Sequence, residues 1–123
     1  MSILRIIHEE LARIGVPYEF MRWTSKVSYP YFVGEISETE PMTGDGLREH
    51  TLLLDGFTRS NYIDLETIKE KIEKHFHPIY GLRRQTDSGY AVFFYAGAFY
   101  VPTGEADLKR IQVTLKIKEW KVD

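Results

Sequence analysis

The chain has four histidines, eighteen acids and several hydroxyls that could do chemistry, but no cysteine. That rules out disulfides, thiolate zinc sites and a cysteine nucleophile. His75 and His77 form an HxH pair. On a strand both would point one way, but here they fall at the end of a helical pattern, which sets them apart. A zinc site needs three or four converging ligands, and histidine at a helix C-terminus is favoured by the dipole alone. His8 with Glu9 reads as solvated helix face. Glu38, Glu40 and Asp45 could offer oxygen ligands to a divalent cation, but their spacing fits no calcium loop, and a solvated loop is the plainer reading. "TGDG" at 43–46 lacks the lysine and the strand–loop–helix setting of a phosphate loop. No "GxSxG" elbow is present. With eighteen acids, a pair of carboxylates carries no information about catalysis. No cofactor is expected.

The sharpest candidate is "SGYAVFFY" at 88–95. It matches an RNA-stacking signature at Gly89, Tyr90, Ala91 and Tyr95. It fails at Ser88, which should be basic, and at Val92, where base stacking needs a ring. RNA-recognition domains also open with a strand, whereas this chain opens with a helix, so no specific nucleic-acid recognition is expected.

Apolar periodicity supplies the elements that would hold these residues. Ile3, Ile7, Leu11 and Ile14 recur at helical spacing, with Ser2 as a cap, Gly15 as an end and Pro17 as a stop. "YEFMRW" and "YFVGEI" read as strands joined through "TSKVSYP". Residues 37–47 read as an acidic loop, since Glu35 to Glu49 holds five acids against Arg48 alone. "REHTLLLDGFT" reads as a strand. "DLETIKEKIEKHF" reads as a helix, with Asp64 as N-cap, Leu65, Ile68, Ile72 and Phe76 buried, and Glu70–Lys74 as a surface pair. "LRRQT" and the aromatic run from Gly89 make a hairpin through "DSG". In "RIQVTLKIKEW", Ile111, Val113, Leu115 and Ile117 alternate with polar residues, giving one buried and one wet face. The expectation is one α+β domain over 1–123, two helices on one face of a mostly antiparallel sheet, in the order α-β-β-β-α-β-β-β.

"GYAVFFYAGAFYV" at 89–101 does not fit a half-solvated strand. Tyr90, Val92 and Phe94 share one face, Ala91, Phe93 and Tyr95 the other, and both are apolar. Two helices can hardly cover both faces of six strands, so the surplus rings point to an assembly surface. Gly97 would allow a bulge before Phe99 and Tyr100.

The totals agree with a folded domain. The chain has 123 residues, 43% hydrophobic and 28% charged, with a net charge of −2. The N-terminal stretch is too polar for a signal peptide, and no run approaches the ~20 apolar residues of a membrane span. A soluble chain made in the cytoplasm is expected.

The pattern resembles the tail terminator (tail completion, minor tail) proteins of long-tailed phages and prophages. The features that carry it are the amphipathic first helix, "YPYFVGEI" (29–36), the polar loop, "EHTLLLDGFTRS" (49–60), "DLETIKEKIEKHF", and the closing "LKRIQVTLKIKEW" with Arg110, Gln112 and Val113. The resemblance implies a non-enzymatic virion protein of the tail. Such a protein would cap the tail tube as a six-membered ring and join it to the head connector. Its partners would be other copies, the tail tube protein and the connector, with no membrane. A ring needs two different patches on each subunit. The acidic stretch with Glu38, Glu40, Asp45 and Arg48 is one candidate. A basic surface from Arg83, Arg84, Lys109, Arg110, Lys116 and Lys118 is the other. Phe99 and Tyr100 are candidate contact rings. The alternative is a small bacterial ligand-binding domain or enzyme whose pocket is lined by the aromatic strand at 90–100.

Overall fold

The computed structural model describes residues 2–39 and 46–121, with side chains for 3–38 and 46–121. The elements run α1 (Ser2–Arg13), β1 (Tyr18–Phe20), β2 (Tyr31–Thr39), β3 (Leu47–Thr58), α2 (Tyr62–Phe76), β4 (Leu82–Gln85), β5 (Gly89–Val101) and β6 (Lys109–Lys121). They form one six-stranded sheet in the order β1-β2-β3-β6-β5-β4.

The α+β class is as expected, but the sheet is mixed. β1 runs parallel to β2, while the other neighbours are antiparallel. The parallel pair follows from the long excursion between those strands, which brings the chain back in the same direction. β1 is also shorter than "YEFMRW" suggested. Met21 sits at φ 72, outside the strand region, and turns the chain away after Phe20. The acidic stretch is less of a loop than expected: β2 continues to Thr39, opposite Glu49.

One face of the sheet carries the core. Phe32, Leu52, Leu54, Ala91, Phe93, Ile111, Val113 and Leu115 are fully buried or nearly so beneath Ile3, Ile6, Ile7 and Leu11 of α1 and Leu65, Ile72 and Phe76 of α2. Close packing also needs Gly56: its cross-strand partner Phe32 lays its ring where a Cβ would stand.

Helix α2 buries the expected stripe, but its N-cap is Asn61, whose side chain accepts from the Asp64 N–H at 3.1 Å. Asp64 lies inside the first turn, where the helix dipole favours it. The surface pair that forms is Lys69–Glu73, at 3.1 Å, in place of Glu70–Lys74. α1 begins at Ser2, inside the helix.

α1 touches both edge strands. His8 lies 6.5 Å from the Tyr18 ring of β1, while Arg84 of β4 donates to Glu10 and, at 3.4 Å, to Glu9. A flat six-stranded sheet would hold its edges roughly 24 Å apart. Three consecutive helical residues can bridge them only because the sheet curls into a half-barrel.

Candidate assembly surface

The sheet face opposite the helices has no element over it among the described residues. It carries Tyr31 and Val33 from β2, Leu53 and Phe57 from β3, Tyr90, Val92 and Phe94 from β5, and Trp120 from β6, all half-buried. The rings gather at the two ends of the strands. At one end Tyr31 stacks on Phe57 at 5.3 Å and meets Trp23 at 5.0 Å and Tyr29 at 5.6 Å. At the other, Tyr90 stacks on Trp120 at 5.1 Å. Such contacts are favourable beyond simple area burial.

β5 resolves its own two-sided apolar pattern. Ala91, Phe93 and Tyr95 enter the core, and Tyr90, Val92 and Phe94 lie on the open face. A bulge then inserts one residue between Tyr95 and Ala98, where Gly97 takes φ 116. The bulge exchanges the faces: Tyr100 returns to the helix side and meets Tyr62 edge-on at 5.2 Å, and Phe99 turns to the open face. Phe99 is 56% and Tyr100 45% exposed, so neither is core.

The expected basic patch does not form as one surface. Arg83, Arg110, Lys116 and Lys118 lie on the open face by strand register, but Arg84 and Lys109 lie on the helix side. Several of these cations are already engaged. Arg110 donates twice to Asp55 Oδ1, at 3.1 and 2.9 Å, and Gln112 donates to the same oxygen at 3.2 Å. Arg83 lies over the Tyr90 ring at 4.6 Å, Lys116 donates to Thr51 at 3.0 Å, and Lys109 lies over Tyr62 at 5.6 Å. The acidic patch is also partly neutralised, since Arg48 donates to Glu38 at 2.7 Å. That bond holds the carboxyl of Glu38 below the usual range. Glu40 and Asp45 lie outside the described residues.

His75 and His77 both make contacts within the fold. His75 bonds Glu10 at 2.7 Å. His77 caps α2, and its Nδ1 accepts from the N–H groups of Ile79 and Tyr80, each at 3.1 Å. Among the described residues, no three His, Asp or Glu side chains are placed to hold a metal ion.

Three polar clusters were missed by sequence reasoning. The first joins α1, α2 and β4 at Glu10, which is 1% exposed. Burial pushes its carboxyl up, but hydrogen bonds from His75 and Arg84, with Arg13 nearby, hold it below its ordinary value. The second is the buried pair of His50 and Glu119, 3.0 Å apart. It floors a polar hollow of about 250 Å³ that Arg48, Asp87 and Lys121 also line. The third ties three connections together: Arg59 donates to Tyr29 at 3.1 Å, Asp107 at 2.9 Å and Glu105 at 3.3 Å. Each joins residues at least 30 apart in sequence, beyond any local pattern.

Among the described residues, no helix is long and apolar enough to cross a membrane. No protein-family model and no curated protein matches the chain. Solved structures do share its fold. One is a chain of the virion of a native gene transfer agent particle, at 10% identity and TM-score 0.64, covering 95% of this chain and 90% of its own. Another matches at 10% identity and TM-score 0.68, over 98% of this chain and 92% of its own. The fold is therefore shared with a component of a virion particle.

Proposed function

We propose that this chain is a virion structural protein of the head–tail junction, a tail terminator that caps the tail tube as a ring and joins it to the head connector. It acts without catalysis or cofactor. Its partners are other copies of itself, the tail tube protein and the connector, and it resides in the tail after synthesis in the bacterial host cytoplasm. The observation that carries this reading is the fold shared almost end to end with a chain of a gene transfer agent virion. The open sheet face supports it: half-buried rings at both ends of the strands suit a surface that becomes covered on assembly.

The test is assembly. Sedimentation and negative-stain microscopy of the purified chain, over a wide concentration range and with tail tube protein, should show a concentration-dependent closed ring. A monomer under every condition would overturn the proposal. Trp120 of the open face offers a local readout, since its fluorescence should shift on assembly.

A further inference from the structure

The two edge strands are much shorter than the strands they flank. β1 pairs only with residues 32–34 of β2, and β4 only with residues 90–93 of β5. The flanks that remain, 35–39 of β2 and 94–101 of β5, have no strand on their outer side among the described residues. Such a flank presents backbone N–H and C=O groups as a template for another strand. The registers put the two gaps at opposite ends of the sheet. β1 lies level with residues 98–100 of β5, where β4 is absent. β4 begins level with Glu38 of β2, where β1 is absent. Each edge is therefore a step, and the two steps fit one another. Each flank is longer than the strand it would receive, since β4 has 4 residues and β1 has 3.

The edges also differ in charge. β1 and β2 carry Glu19, Glu35 and Glu38 and no base, while β4 and β5 carry Arg83 and Arg84 and no acid. Three of these are used within the copy: Glu19 by its turn, Glu38 by Arg48 and Arg84 by Glu10. Glu35 and Arg83 are left. Both are exposed, both lie on the open face by register, and neither belongs to an ion pair among the described residues. Arg83 only rests over the Tyr90 ring.

We propose that copies of this chain join edge to edge. β4 of one copy sits beside residues 35–39 of the next, and β1 of that next copy sits beside residues 94–101 of the first. The two short strands then share one column, end to end, and Arg83 of one copy stands beside Glu35 of the other. There β4 runs parallel to β2, and β1 runs antiparallel to β5. The two edges are different surfaces, so the contact is heterologous and closes into a ring when the rotation permits. The inference rests on the assembly reading and specifies its contact.

Thiol cross-linking tests it, since the chain has no cysteine of its own. With Arg83 beside Glu35, the parallel strands bring Gln85 level with Ser37, and both are exposed. Ser37→Cys and Gln85→Cys in one chain, treated with a short bis-maleimide where wild type assembles, should give a ladder of dimers and higher multimers. An equimolar mixture of the two single variants should stop at the dimer. Sedimentation of E35K and R83E gives a second reading, with unchanged circular dichroism and melting to confirm folding. Each variant alone sets like charges together and should associate about tenfold more weakly than wild type. Their equimolar mixture should recover to within about threefold. If wild type assembles but no ladder forms, or the reversed variants assemble equally well, the contact is wrong while the assembly reading stands. A mixture as weak as its components overturns the pairing of Glu35 with Arg83. Wild type that remains monomeric overturns the assembly reading and the contact with it.

Discussion

Glu10 shows how much one side chain can connect. It is almost fully buried, yet it is bonded by both His75 and Arg84. Its depressed pKa fixes the sign of its pH dependence. Above the ordinary carboxyl value of 4.5 its stabilisation is fully present, and it is lost as pH falls through the lower folded value. Glu10→Gln should cost about 2 kcal/mol at pH 7. The deficit against wild type should shrink below pH 4.5 in urea titrations run across pH. Glu19 is a surface counterpart. Hydrogen bonds from Ser25 and Thr24 hold it at about 2, so that turn keeps its charge through ordinary acid conditions. Thr86 is the opposite case. Its hydroxyl is buried with no hydrogen-bond partner among the described residues. Thr86→Val keeps the shape and removes the unmet group, so thermal melts should show it unchanged or up to about 1 kcal/mol more stable.

At the scale of elements, Asn61 and Gly97 do the local shaping. Asn61→Ala removes the α2 cap and should cost about 1 kcal/mol in chemical denaturation. Gly97→Val should cost more, about 2 kcal/mol, because φ 116 is hostile to a β-branched residue. It should also disturb the Tyr62–Tyr100 contact, visible in near-ultraviolet circular dichroism. Much of this level was legible in the sequence. The stripe of α2 and the alternation of β6 stand as expected because each repeats over several residues with one face dry. The cap was misplaced because Tyr62 and Ile63 are exposed, so the apolar stripe begins three residues after the helix does. The basic patch was misjudged for a similar reason. Arg83 and Arg84 are adjacent in sequence, and adjacency in a strand means opposite faces.

For the whole molecule, the sheet leaves one broad face uncovered while α1 occupies the space between its edge strands. Limited proteolysis should find the α1 region, whose apolar face is buried in the core, protected equally in free and assembled protein.

The bridge made by α1 also bears on the order of synthesis. Its partner Arg84 lies 74 residues later than Glu10. At about 5–20 residues per second, the ribosome leaves that amphipathic helix without this partner for several seconds. The helix thus waits for a partner made well after it. A nascent chain halted before β4 would leave Glu10 without Arg84, the partner that lets it stay charged when buried.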